Sequence, residues 1–284
     1  MTPLRIFIIC FIFYVAFLLV ALSGCREQTC PVREVEKVDH SLFDTIVRSC
    51  VNTEGLVDYG LLRSQYGGML REYLDYLGGI DADKWSAEDE DDGERSESPI
   101  YKGRATRLAF WINAYNALCL QQVLDLNRDR AAGQFYKTAY PQDSLFFHRR
   151  DYFIAGRRRT LNEIQNLIIR PGFSEPRVFA ALCSASRSGA PLRPEAYRAE
   201  RLPAQLDNQC RLWIASKTHN RLDTENGVLY LSDIFKNFAQ DFDRLYDNPR
   251  GFFLKYTTDP AEIKYLQSHE VFVSYLPCDW SLNG

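Results

Sequence analysis

Residues 179–197, FAALCSASRSGAPLRPEAY, bring an apolar run to a single thiol, Cys183, and continue as a loop of small residues that includes Ser184 and Ser188. A thiol or hydroxyl in such a loop can attack an ester, amide or thioester if a base takes its proton and a third group orients that base. The four histidines, His40, His148, His219 and His269, stand in no recognisable relation to either serine and read as surface or loop residues. Cys183, or less readily Ser184, is therefore the candidate nucleophile of a hydrolase or acyltransferase whose base would come from a distant segment. The competing reading is a site that binds without turning anything over.

The element that must support this loop is RATRLAFWINAYNALCLQQVL. Leu108, Trp111, Ile112, Tyr115, Leu118, Cys119 and Val123 form a stripe at helical spacing, and Phe110, Ala114, Ala117 and Leu120 fill the remaining sides. Such a helix is buried nearly all round. Asn113 and Asn116 are poor helix formers and costly to bury unless their amides are paired, so both are expected to hold loops or line a pocket. Together with Tyr115, Ser188 and Arg193 they form the expected pocket set, with at least one asparagine facing the 183–189 loop and Arg193 available to an anionic group. Cys119 and Cys210 read as small buried hydrophobes.

Elsewhere, FFHRRDYFIAGRRRTLNEIQNLIIRPG reads as a hairpin turning at Ala155 and Gly156, then a helix with a Thr160/Glu163 capping box that Pro171-Gly172 closes. Arg149, Arg150, Arg157, Arg158 and Arg159 gather on that hairpin, either as a solvated surface or as a contact for an anionic lipid or glycan. RVFAALC reads as a buried strand. LPAQLDNQCRLWIAS and SDIFKNFAQDFDRLY read as helices, the second capped by Ser232, with short strands at GVLYL and EVFVSYLP. The acidic run at 86–98 has no apolar period and reads as a solvated loop.

The chain has 284 residues and a formal net charge of −3, which suits one domain and gives no footprint for nucleic acid. Its start is different: after Arg5 an apolar run leads to Leu22-Ser-Gly-Cys25, the form of a bacterial lipoprotein signal cleaved before a lipidated cysteine. The alternative is an uncleaved membrane anchor. The reading divides the chain into a signal peptide at 1–24, a lipidated polar tether at 25–38 and a domain at 39–284. It places the protein in a bacterial envelope, held by Cys25 at the periplasmic face of the outer membrane, with an envelope protein, lipid or glycan as partner. No CxxC pair or metal-like cluster occurs, so neither a metal nor another cofactor is expected.

GLVDY, LAFWINAYNAL, TLNEIQNLIIR, PLRPEAY, LPAQLDNQ, LSDIFKNFAQDF and DWSLN, in this order, resemble the domain-of-unknown-function 547 family from about residue 40 to the end. In the family the helix carries a glutamate where this chain has Gln165, and the following strand begins with a histidine where it has Phe179. Two loop cysteines correspond to Ser184 and Gly189. All four positions are altered here, so the resemblance implies a degenerate, catalytically silent site, with Cys183 one position before the family's first cysteine and turned to the opposite face. The fold expected is α+β, a single mostly helical domain with a small antiparallel sheet carrying strands near Val178, Val228 and Val271. A papain- or transglutaminase-like arrangement would suit a cysteine loop beside a histidine strand.

Overall fold

The computed structural model describes residues 29–35, 37–82, 99–131, 133–138 and 145–284. The signal sequence with Cys25 and the acidic run 86–98 lie outside the described residues.

The fold is built around one helix, α3 (Pro99–Leu126), in which every residue from Leu108 to Leu124 is buried. Apolar side chains on all sides let neighbours pack around its whole circumference. On one side lie α1 (Ser41–Cys50) and α2 (Gly67–Gly78), each with an apolar stripe turned inward. On the other lies α4, a continuous helical segment made of Leu161–Glu163, a π-helical stretch Ile164–Ile169 and Arg170–Phe173. The Thr160/Glu163 capping box is present. Pro171 and Gly172 lie inside the last turn rather than ending it, and the stop comes at Ser174, in left-handed conformation.

The C-terminal half adds α5 (Leu202–Ala215), α6 (Asp233–Asn237), α7 (Ala239–Tyr246), α8 (Pro249–Tyr256) and α9 (Pro260–Ser268). The run expected as one helix after Ser232 is broken at Phe238 into α6 and α7. Trp213 of α5 stacks on Phe235 at 4.8 Å, and Phe242 and Phe252 close on Phe235, forming an aromatic core for this half. Such packed rings each contribute beyond the area they bury.

The α+β class holds, and the sheets are small. β1 (Phe153–Ile154) and β2 (Arg157–Arg158) form the expected hairpin, antiparallel through Phe153 opposite Arg158. β3 (Arg221–Asp223), β4 (Val228–Leu231) and β5 (Phe272–Tyr275) form a second sheet in that order, the first pair antiparallel and the second parallel. Val178 is in neither sheet. Pro176–Ala180 is a 3-10 helix, started by the Glu175 side chain, which accepts from Arg177 N–H, and by Pro176 in the first turn. A short apolar run fits strand or helix equally well by period, and here the cap decides. The histidine strand on which a papain-like arrangement would rest is therefore a helical turn.

Residues 29–35, expected as part of a polar tether, are laid against the domain. Cys30 N–H donates to Gly156 O at 3.0 Å, its thiol to Gly78 O at 3.1 Å, and Arg33 N–H to Gly79 O at 2.9 Å. Close approach explains two glycines: a Cβ on Gly78 would lie 2.9 Å from Phe153 O, and one on Gly156 2.7 Å from Val32 Cγ1.

Candidate functional site

Residues 181–198 carry little backbone pairing of their own, so their peptide groups must find partners elsewhere. Side-chain amides supply them. Asn116 donates to Ala181 O at 2.9 Å and accepts from Cys183 N–H at 2.8 Å. Asn113 makes the same two-armed bond to Tyr197, donating to its carbonyl at 2.8 Å and accepting from its N–H at 2.9 Å. From α5, Gln205 bonds Ala196 O and Arg198 N–H, and Gln209 bonds Pro191 O. Asp44 of α1 accepts from Ala196 N–H. The polar residues of the helices thus act as ladder partners for a loop that has no strand beside it.

The C-terminal tail closes the other edge. Ser186 pairs with Leu282, Asn283 N–H donates to Ala185 O at 3.0 Å, and Val57 N–H donates to Asn283 O at 2.9 Å. His219 was not expected near this loop, yet its Nε2 bonds Gly189 O at 2.8 Å, which fixes the proton on Nε2 because a carbonyl only accepts. Burial holds the His219 pKa below its ordinary value, so the ring is neutral at pH 7.

Cys183 and Ser184 face opposite ways. Cys183 is 1% exposed, and Cys119 S–H, Ala185 N–H (3.4 Å) and the Asn283 amide (3.6 Å) all point at its sulfur. Hydrogen bonding, led by Cys119, draws the Cys183 pKa down, whereas burial pushes the Cys119 thiol up. Asn283 in turn accepts from Tyr59 O–H at 2.6 Å. The loop reverses at Ala185, whose φ of +57° is the left-handed region that an L residue enters at a cost.

Ser184 points into a cavity of about 260 Å³. Gln165, Phe179 and Gly189 line the same cavity, so the four positions singled out by resemblance converge in space. Gln165 and Asn166 sit on the π-helical stretch and Asn162 on the α-helical turn before it, and all three line the cavity. Tyr115 O–H donates to Gln165 Oε1 at 3.1 Å. Phe179 stacks on Phe238 at 4.5 Å and closes the wall with apolar surface. A Cβ on Gly189 would lie 2.0 Å from Ser184 Oγ and 3.2 Å from its Cβ, so the glycine leaves the room that the serine hydroxyl occupies.

The cavity offers little to activate a nucleophile. Among the described residues Ser184 Oγ is bonded to Ser186 Oγ, at 2.9 Å, and Ser186 Oγ accepts from Gly189 N–H. Cys278 lines the cavity too, but burial first and then Asp233 push its thiol up to about 12, so it stays protonated. His148 and Asp233 lie on the wall, and neither is hydrogen-bonded to Ser184. Among the described residues no three His, Cys, Asp or Glu side chains are grouped to hold a metal ion.

Of the expected pocket set, Tyr115 and Ser188 line the cavity, with Ser188 Oγ accepting from Asp279 N–H. Asn113, Asn116 and Arg193 do not line it. Arg193 is committed to Glu195, with further bonds to Asn208 and Gln209, which leaves it unsuited to receive an anion. Sequence reasoning missed His148, Asp233, Asn237 and Trp280 on the cavity wall; nothing in their local spacing signals it, because each reaches the wall from a separate element. The hairpin arginines also have internal partners: Arg149 with Asp151, Arg150 with Glu163, Arg158 with the carbonyls of Arg150 and Asp151, and Arg159 with Ile154 O.

The family described as Protein of unknown function, DUF547, matches residues 101–214, the span that holds α3, Gln165, Phe179, the clamped loop and α5. No curated protein and no solved structure matches the chain.

Proposed function

We propose that this DUF547 chain is a lipid-anchored protein of the bacterial envelope whose Ser184 cavity recognises a ligand without turning it over. One observation carries the reading: Gln165, Phe179, Ser184 and Gly189 meet in a single cavity, and the three partners that would make a nucleophile of the fourth have no titrating group. Gln165 cannot take a proton in the working range, Phe179 cannot take or give one, and Gly189 has no side chain. The Ser184 hydroxyl is left with Ser186, another hydroxyl of the same ordinary pKa.

Two features support anchoring: the Leu22–Cys25 box, and residues 29–35 laid against the domain. Four residues from Cys25 to Thr29 reach at most about 14 Å, so acyl chains on Cys25 would hold the β1–β2 hairpin, which Thr29 touches through Arg157, near the bilayer surface. A clickable fatty acid fed to cells is expected to label the wild type and not Cys25→Ala.

The recognition reading is tested with a panel of ester, amide and thioester substrates. The parent is expected to show no turnover that Ser184→Ala removes. A second reading, a serine hydrolase, draws on His148 and Asp233 lining the same cavity as Ser184. It requires a rate that falls in both Ser184→Ala and His148→Ala, and such a result would displace the first reading.

A further inference from the structure

We infer that a second cavity, between the start of α1 and the turn before α5, takes a free α-amino acid: Arg198 and the His40 Nε2–H hold its carboxylate, and Glu200 its ammonium. The site lies apart from the Ser184 cavity, and among the described residues the two share no lining. It encloses about 260 Å³ and is walled by residues 37–40, by Thr106 and Ala109 of α3, and by residues 198–200.

His40 is the first argument. Its side chain is 8% exposed, and its Nδ1 lies 2.6 Å from the hydroxyl of Tyr73, which is fully buried. Among the described residues that hydroxyl has no other partner. It must give its proton to Nδ1, because a ring protonated there would leave the hydroxyl hydrogen without an acceptor. Burial keeps the ring neutral at pH 7, so its own proton sits on Nε2, on the edge turned away from Tyr73 and toward the cavity. No described residue accepts from Nε2–H, so a ring nine-tenths buried presents an unused donor to the cavity.

Charge is the second argument. Arg198 makes one long ion pair, 3.8 Å to Asp44, whose carboxylate is already engaged by Arg48 at 2.6 Å and by Ala196 N–H. The side chains of Lys37 and Glu200 have no ion pair or hydrogen bond among the described residues. Asp39 is occupied, accepting from Ser41 N–H at 2.9 Å. Arg198, Asp39 and Glu200 all stand close enough to His40 to act on its charge. Spare groups of both signs thus flank the ring's donor, and a ligand of one sign would leave the other unmatched. A carboxylate meets the guanidinium and the N–H in charge-assisted bonds, and an ammonium meets Glu200. Val38, Ala109 and Ala199 add an apolar patch to the same wall. An α-amino acid carries both charges and its side chain on one carbon, so a small aliphatic side chain covers the patch while the charged groups find their partners.

The test uses the full-length protein in a nonionic detergent and calorimetric titration with L-alanine, L-valine, N-acetyl-L-valine, L-valinamide, tri-alanine and phosphoethanolamine. At least one of the two free amino acids is expected to bind with a Kd of about 1 mM or tighter. Removing either ligand charge, as in N-acetyl-L-valine and L-valinamide, is expected to weaken binding about tenfold or more. Arg198→Gln and Glu200→Gln are expected to do the same with melting temperature retained. Glu200→Gln should also narrow the gap between L-valine and N-acetyl-L-valine, which a merely structural effect would not do. The inference is overturned if neither free amino acid binds at about 20 mM, or if a blocked form binds as tightly as the free ones. It is equally overturned if both variants bind as the parent does, or if only tri-alanine or phosphoethanolamine binds.

Discussion

The peptide bond between Cys183 and Ser184 joins two regions built on opposite rules. On the cysteine side, Asn116, Asn283, Tyr59 and Cys119 are buried and bonded to one another or to the loop backbone, and Asn116 uses both ends of its amide. On the serine side, amides and hydroxyls face a cavity with donors to spare. A polar group whose bonds are all made inside the protein holds structure, and one with bonding capacity left over can meet a ligand. The conspicuous asparagines of the long helix belong to the first kind. The thiol that looks most like a nucleophile belongs there as well.

Breaking the cysteine side should therefore cost far more than altering the serine side. Asn116→Leu strands Ala181 O and Cys183 N–H in the interior, and a loss of about 4 kcal/mol is expected for the two groups, with Asn113→Leu in the same range. Ser184→Ala should change stability by less than about 0.5 kcal/mol. Urea denaturation of the three variants measures the contrast, and equal losses would erase it.

Acid should load the buried scaffold. His40, bonded to Tyr73 O–H at 2.6 Å, is lowered by burial, and next by Arg198, to about 4 from an ordinary 6.5. Its neutral form is the one the fold keeps. Stability is thus full above pH 6.5 and falls as pH drops below it, because the unfolded chain takes up the proton first. Between pH 6.5 and pH 5 the loss from His40 should reach about 2 kcal/mol. His219 adds to it in the same direction. Urea midpoints at pH 7.5, 6.5 and 5 give the slope, which His40→Leu should flatten.

The cavity side can be sharpened by a crosslink. A Cβ on Gly189 would lie 3.2 Å from that of Ser184, a few tenths of an ångström short of disulfide spacing, so after that small adjustment Ser184→Cys with Gly189→Cys should oxidise to a bridged pair. The closed loop is short, and the gain should be no more than about 2 kcal/mol. Mass spectrometry would show the loss of two hydrogens, and two free thiols under air would contradict the placement of these residues.

The elements were legible where local rules govern. The buried helix, the hairpin, the Thr160/Glu163 box, the Ser232 cap and the need of Asn113 and Asn116 for partners all follow from period and capping. The partners themselves were not legible. Asn283 reaches Cys183 across 100 residues, Tyr59 reaches Asn283 across 224, and His219 finds Gly189 from a turn after α5. The misread strand at RVFAALC has a local cause, since Glu175 and Pro176 begin a helical turn that apolar periodicity cannot register. Resemblance singled out the four positions that share the cavity, while His148, Asp233 and Trp280 reach it through long-range folding alone.

The division at residues 183 and 184 is tested most directly by thiol reactivity on its two sides. Native parent protein and a Ser184→Cys, Cys183→Ala variant are treated with iodoacetamide near neutral pH, and labelling at each position is followed by peptide mass spectrometry. Cys183, 1% exposed, should remain unlabelled until the protein is unfolded, despite its lowered pKa. The new thiol at 184, open to the cavity, should label in the native state. Fast native labelling of Cys183, with the thiol at 184 protected, would contradict the account.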